Sequence, residues 1–375
     1  MKPSRMTAIV EWATIIIFMV ILCTPAIGMI TTPYAKRSQA ERRFLAEFPE
    51  WQEHKALVTY TKAIGTFVDD HFGLREELLE IGSNLNFRIF NEAITDMVQV
   101  GRDGWLFYNA DHTIDNYRGI SKPLTQQQLE QFELALEARI AELAEQGIAY
   151  YLVIAPDKQT IYGQYFPEKY GAINTNTYQD QIIKYFHNHP TIHIIDLRPA
   201  LLEASQSNPD QDYYYPVDTH WNYYGAFVGY SEIMSRISED FPDIFYLKEL
   251  PLNQNQTSPN HDGLVRMARL DIPIGSEFPL SEPTSCITSV YAQHENRDIN
   301  HYQCDDISPA LKVLLFHDSF GQWLGPLLQH SSFELTTVWD TFQQDIYDDV
   351  VADFGVDIVI EEWVERNIPN KIKMQ

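Results

Sequence analysis

Three cysteines in 375 residues are too few for a disulfide-stapled scaffold, and none falls in a CxxC pair or a Cys/His spacing that would build a zinc site. Basic residues are also scarce: 27 Lys and Arg stand against 52 Asp and Glu, a formal net charge of −25. A chain so acidic repels nucleic acid and anionic membrane surfaces, which demotes nucleic-acid binding, so none is expected, and favours a neutral or cationic substrate over a strongly anionic one. No internal repeat occurs. The composition is 45% hydrophobic and 21% charged, too apolar for disorder. At roughly 100 to 200 residues per domain, the length accommodates two or three units or one elaborated α/β domain.

What is present begins with an uncharged run. From Trp12 to Ile30, 19 residues carry no charge, and at about 1.5 Å per residue such a helix nearly spans a bilayer's hydrocarbon core. The run reads as a membrane anchor or an export signal. Lys2 and Arg5 form a positive start, and Ala26-Ile27-Gly28 resembles a signal-peptidase site. The uncleaved anchor is the preferred reading, although Lys36, Arg37, Arg42 and Arg43 beyond the run count against the cytoplasmic N-terminus that export requires.

The expected organisation is therefore a stub and anchor or signal at 1–34, a helical lead-in at 35–98, and one large α/β domain at 99–375. Within the lead-in, Leu74, Leu78, Leu79 and Ile81 are spaced around Glu76, Glu77 and Glu80 as on helices. Gly101-Arg102-Asp103-Gly104 then makes a turn before the aromatic run Trp105-Leu106-Phe107-Tyr108, expected to be a strand entering the main domain. Leu124–Gln146 is an amphipathic helix capped by Thr125 and ended by Gly147. Apolar strands are expected at Tyr150–Ala155, Ile192–Leu197, Leu311–Phe316 and Val356–Ile360, with helices near Asn176–His187 and Phe320–Gln329. This alternation predicts a parallel sheet with crossover helices. Between 245 and 310 the pattern breaks into Pro, Asn, Ser and Asp, which reads as a loop-rich insertion. It holds Cys286 and Cys304, a candidate disulfide or two unrelated thiols.

In an open parallel sheet, ligands bind at the carboxyl ends of the strands. Three segments fall there: Ala155-Pro156-Asp157-Lys158, Val217-Asp218-Thr219-His220-Trp221 and Phe316-His317-Asp318-Ser319-Phe320. Ser319, at a strand-to-helix turn, is the candidate nucleophile, and the helix start offers N–H groups for an oxyanion. Asp218 and His220, two apart in an extended loop, point the same way, so Asp218 can hold Nδ1–H of His220 while Nε2 faces the serine. Lys158 and Arg366 either bind a carbonyl oxygen or sugar carboxylate, or pair with Asp157 and with Glu361 or Glu362. Trp221, Tyr223 and Tyr224 either stack on a sugar ring or pack in the core. His187, His189 and His193 span a helix end, Pro190 and a strand, which reads as a solvated turn and no metal site.

These segments, with Phe67-Val-Asp-Asp-His-Phe-Gly-Leu-Arg75, Val100-Gly-Arg-Asp-Gly-Trp-Leu-Phe-Tyr108, Ile161-Tyr162, Phe166-Pro167, Asp218-Thr-His-Trp-Asn222 and Val356-Asp-Ile-Val-Ile-Glu-Glu-Trp-Val-Glu-Arg366, carry a resemblance. Over about residues 44 to 369 the chain resembles the SGNH-hydrolase-like polysaccharide O-acetyltransferases of the alginate AlgJ/AlgX type. The resemblance implies an SGNH-like α/β fold with rearranged motif order, Ser319 as nucleophile, His220 as base and Asp218 as orienting acid. It implies no cofactor, an exopolysaccharide acceptor, and a membrane-bound O-acyltransferase that supplies acetyl. It places the protein in the inner membrane with its catalytic domain in the periplasm, or free in the periplasm after signal cleavage. An SGNH acetyl-esterase acting on an envelope glycan and a non-catalytic polysaccharide-binding scaffold remain competing expectations. His317 departs from the family's usual Gly before Asp-Ser. His261-Asp-Gly-Leu-Val-Arg-Met267 resembles the family's Gly-Asp-Leu stretch with two residues exchanged, and no catalytic role is assigned to it. The net charge argues for an acceptor less charged than alginate.

Overall fold

Along Ala149–Ala155 the side chains alternate between two cores. Tyr151, Val153 and Ala155 join one apolar cluster, while Leu152 and Ile154 join another. This is the period-2 pattern of a strand buried on both faces. Lys312–Phe316 repeats it, with Val313 and Leu315 to one side and Leu314 and Phe316 to the other. The computed structural model describes residues 5–31, 35–38, 43–51, 56–111, 113–170, 176–283, 286–290, 298–304, 307, 311–332 and 334–374. Lys2 and Arg42, two of the basic residues flanking the apolar run, lie outside that set.

The chain separates into two compact units, residues 1–95 with 265–272, and 96–264 with 273–375. The first unit contains helix α1 (Arg5–Thr31), within which Ile9–Met29 is long and apolar enough to cross a membrane, with mean hydropathy 2.2. Helices α2 (Leu57–His71) and α3 (Arg75–Phe90) follow. Asp70 is clasped by both guanidinium nitrogens of Arg43, at 2.9 and 2.5 Å, and that bond holds its carboxyl down to about 2. Residues 265–272 belong here because Arg269 pairs with Glu76 at 2.8 Å, and the Asn84 amide bonds the Arg269 carbonyl and the Asp271 N–H.

The second unit opens with an antiparallel hairpin, β1 (Val98–Val100) and β2 (Leu106–Tyr108). The aromatic run thus forms a strand outside the main sheet. Then come α4 (Gln126–Glu145), β3 (Ala149–Ala155), α5 (Tyr178–Phe186), β4 (Ile194–Asp196), α6 (Arg198–Ser207) and α7 (Tyr223–Asp240). The rest is β5 (Cys286–Val290), β6 (Ile299–Cys304), β7 (Lys312–Phe316), α8 (Gly321–Gln329), β8 (Glu334–Val338), α9 (Gln344–Phe354), β9 (Ile358–Val364) and α10 (Ile368–Met374). Capping boxes start α4 at Thr125 and Gln128 and α5 at Thr177 and Asp180.

The seven strands lie in the order β4-β3-β9-β7-β8-β6-β5. The first five are parallel, and β6 and β5 extend the sheet antiparallel. The stretch expected to be a loop-rich insertion therefore supplies two strands to the main sheet and a segment to the first unit. Cys286 and Cys304 stand opposite one another across β5 and β6 and form a disulfide, Cα to Cα 4.1 Å. Strand β9 runs to Val364, four residues beyond the expected end, because its acidic residues are buried with partners: Glu361 accepts from Arg139 at 3.0 Å, the Tyr150 hydroxyl at 2.6 Å and the Phe342 N–H at 2.9 Å. The last strand in chain order sits between β3 and β7. The switch in strand order, and with it the crevice, thus falls at the carboxyl ends of β3, β9 and β7.

Candidate active site

Ser319 occupies the turn between β7 and α8. Asp318 fixes that turn: its Oδ1 accepts the Phe320 N–H at 3.0 Å and its Oδ2 accepts the Val364 N–H of β9 at 2.8 Å. The Asp318 N–H reaches Glu362 Oε2 at 3.3 Å, and burial, followed by the nearby Asp318 charge, pushes Glu362 well above the usual carboxylate range. The Ser319 turn is thereby bolted to the neighbouring strand from two sides.

The loop between α6 and α7 brings up the other two groups. His220 Nε2 lies 2.8 Å from Ser319 Oγ, and His220 Nδ1 lies 2.6 Å from Asp218 Oδ1. Asp218 also accepts the His220 N–H at 3.1 Å and the Gly263 N–H at 2.6 Å. Burial pushes its carboxyl up, but the His220 bond and charge and these two backbone N–H groups outweigh it and hold the group below the ordinary carboxylate range. Trp221 Nε1 donates to the Phe320 carbonyl at 3.1 Å, tying the His220 loop to the Ser319 turn. Asn222 caps α7 through the Gly225 N–H at 3.1 Å, which fixes where the loop ends. No acceptor among the described residues takes the Ser319 N–H. The arrangement has the distances that proton transfer from a hydroxyl to an oriented imidazole requires.

A profile of the family described as "SGNH hydrolase-like domain, acetyltransferase AlgX" matches residues 98–307. The chain belongs to this family. A probable alginate O-acetylase AlgJ from Pseudomonas fluorescens is 26% identical over 227 residues, covering 60% of this chain and 54% of that protein. The chain thus spans about half the length of the curated relatives it matches. Among solved structures, Bacillus cereus PatB1 aligns with a TM-score of 0.52 at 19% identity, over 73% of this chain and 97% of its own. A DHHW family protein from Eubacterium siraeum aligns at 0.50 and 14% identity, over 75% and 96%. These two structures share the fold.

Within this member of the AlgX-type family, three side chains expected to meet substrate are turned inward. Lys158 is 2% exposed, and its ammonium donates to the carbonyls of Tyr215, Pro216 and Asp218 at 3.0, 3.1 and 2.5 Å. Burial pulls its pKa down to about 7, while three acceptors satisfy all three N–H donors of the charged form. Lys158 is a brace for the Asp218 loop. Arg366 is buried against Asp157 and keeps no face for a sugar carboxylate. Neither cation pairs with Glu361 or Glu362. Trp221 is fully buried, so it packs and does not stack on a ring; Tyr223 is partly buried, and Tyr224, at the start of α7, is 36% exposed.

Two groups that the spacing did not single out stand at the site. Gly263 belongs to the His261-Asp-Gly stretch, and a Cβ there would run into Asp218 Oδ2, so only glycine lets this N–H reach the carboxylate. Trp323, four residues beyond Ser319, stacks on the His220 ring with centroids 4.7 Å apart. Its i, i+4 spacing from the serine was the available signal. His317, which stands before Asp-Ser where the resemblance expects Gly, is accommodated by Gly321, whose missing Cβ leaves room for the imidazole, and that ring packs on Trp339. His189 uses Nδ1 to accept the Ile192 N–H at 3.1 Å, as a turn cap does.

Proposed function

We propose that this protein is an O-acetyltransferase that moves acetyl through Ser319 to a hydroxyl of a polysaccharide. The observation that carries the reading is the chain of contacts Asp218–His220–Ser319, at 2.6 and 2.8 Å, at the carboxyl end of the sheet in a chain of the AlgX-type family. His220 Nε2 takes the Ser319 proton as Oγ attacks the acetyl carbonyl of the donor. The tetrahedral oxyanion is met by the free Ser319 N–H at the start of α8. Collapse breaks the bond to the donor's alcohol, which leaves with the proton from His220, and acetyl-Ser319 remains. A sugar hydroxyl then loses its proton to His220, attacks the acetyl carbonyl, and expels Ser319 Oγ, which recovers the proton. Asp218 holds Nδ1–H throughout and keeps Nε2 free to accept.

The curated relatives are named alginate O-acetylases, which supports a polysaccharide acceptor. The charge of −25 supports one less anionic than a polyuronate. The apolar helix Ile9–Met29 supports a membrane anchor or export signal; a catalytic unit in the periplasm, fed with acetyl by a membrane-bound O-acyltransferase, completes the proposal.

The test supplies purified full chain with an activated acetyl ester and, separately, neutral and uronic oligosaccharides, reading acetylated sugar by mass spectrometry. Acetylation of the neutral acceptor is expected, with Ser319→Ala reducing it by about 10⁴-fold or more. Hydrolysis without any acetylated sugar would overturn the transferase reading, and wild-type turnover by Ser319→Ala would overturn the acyl-enzyme. Acetylation of uronic acceptors alone would overturn the acceptor class.

A further inference from the structure

We propose that Trp323 is a positioning residue for the His220 imidazole, itself held by a hydrogen-bond chain through Tyr215 to Glu277. The inference rests on the acyl-enzyme reading and adds to it a part that the triad alone does not supply. A ring bonded at Nδ1 to Asp218 and at Nε2 to Ser319 can still rock about the line through those two atoms. A flat surface against the ring removes that freedom. Trp323 provides it: the indole is 4% exposed and meets the imidazole with ring planes 28° apart. Phe320 is the ring's second aromatic neighbour, at 5.1 Å and 59°.

The indole in turn is fixed. Trp323 Nε1 donates to the Tyr215 hydroxyl at 3.2 Å, and that hydroxyl donates to Glu277 Oε1 at 2.5 Å. Tyr215 is 1% exposed, and its carbonyl is one of the three oxygens bound by Lys158, so one residue braces both the base loop and the indole. His261 packs against the same indole at 4.8 Å and against Tyr215 at 5.1 Å.

Each attack in acyl transfer places a proton on His220, and each collapse takes it back. An imidazolium over an indole face is attracted by the ring's negative surface more than neutral imidazole is. The contact therefore strengthens as the transition state forms and acts on kcat, not on ground-state binding. The ionisable groups facing this ring pair are Asp218 on the base's own loop, His261, and Tyr215 with Glu277 behind it.

The test follows acetyl-ester turnover by the full chain across the titration range of histidine. Trp323→Leu is expected to lower kcat about tenfold, to leave KM within about twofold, and to move the acid limb of the pH profile down by about 0.5 to 1 unit, because the cationic ring loses its favourable face. The same shift is expected in a His261→Gln background, which removes the second imidazole as its source. Trp323→Phe and Tyr215→Phe both break the indole-to-hydroxyl bond, and Tyr215→Phe also breaks the bond to Glu277, so the double variant is expected to lose no more kcat than the worse single variant. An unmoved acid limb with the loss carried in KM overturns the proposal, as do losses that multiply in the double variant. If circular dichroism shows Trp323→Leu unfolded, the double-variant cycle decides. A Ser319-dependent enzyme whose Trp323 variants behave as wild type overturns this inference alone, whereas activity in Ser319→Ala overturns the reading beneath it.

Discussion

Replacing Asp218 by Asn removes one charge and keeps the shape, and three N–H groups make the consequence calculable. His220 Nδ1 at 2.6 Å, His220 N at 3.1 Å and Gly263 N at 2.6 Å all point at the carboxylate. An amide has one oxygen to offer. If its NH₂ faces Gly263, two donors confront each other, at about 1–3 kcal/mol for the buried N–H left unpaired. If its NH₂ faces His220, the His220 backbone N–H at 3.1 Å loses its acceptor, Nδ1 must become the acceptor, the ring proton moves to Nε2, and the nitrogen 2.8 Å from Ser319 Oγ can no longer take the serine's proton. The second arrangement gives up the longer of the two backbone bonds and loses the base. A kcat loss of about 10⁴-fold is expected, equivalent to about 5.4 kcal/mol of transition-state stabilisation. KM for a small acetyl ester should stay within a few fold. Steady-state turnover reads it, with circular dichroism confirming a folded chain. Asp218→Asn turning over within tenfold of the parent would refute the orienting role of the carboxylate. Gly263→Ala probes the same contact from the other side, where the added methyl pushes Oδ2 away; misplacement of this kind costs about a hundredfold in kcat.

Glu365 offers a pH test that is independent of catalysis. Burial, then the charge of Asp157, pushes its carboxyl up to about 8 from an ordinary 4.5. Between those values the folded chain holds a proton that the unfolded chain has released, so stability falls as pH rises through this window. Glu365→Gln should flatten the dependence of the melting temperature over the same range, and an unchanged slope would show that the group titrates normally. Reducing the Cys286–Cys304 disulfide, which spans 18 positions at the far edge of the sheet, should lower stability to denaturant by about 3 kcal/mol, with equal midpoints in oxidised and reduced protein counting against it.

The parts of the fold readable in advance were those where local pattern and burial agree. Strands β3 and β7 lie inside continuous apolar runs because a parallel strand is covered on both faces. Strands β5 and β6 were hidden: Cys-Ile-Thr-Ser-Val and Ile-Asn-His-Tyr-Gln-Cys carry many polar residues and read as loop, since β6 buries only alternate residues and the pairing is set by partners elsewhere in the chain. Glu361 and Glu362 masked the second half of β9, because nothing local announces that Arg139, 222 residues away, will meet Glu361. The candidate triad follows the same division. Asp218 and His220 form a local spacing, whereas the Gly263 contact lies 45 residues from Asp218 and depends on a close approach that only the folded chain reveals. Lys158 and Arg366 looked available because charge usually means exposure, yet carbonyls and Asp157 take both of them into the interior.

The position of β9 bears on when activity can begin. Strands β3 and β4 on one side, and β7, β8, β6 and β5 on the other, share no ladder; Ile358–Val364 alone pairs with both, facing Ala149–Ala155 across about two hundred intervening residues. The same strand supplies the Val364 N–H that Asp318 needs to set the serine turn. A chain whose last strand has not yet paired therefore has the serine, the histidine and the aspartate but no frame to hold them together. Closing so distant a pairing is slow, and this join acts as a built-in delay that keeps the Ser319 turn unset until β9 has paired on both sides.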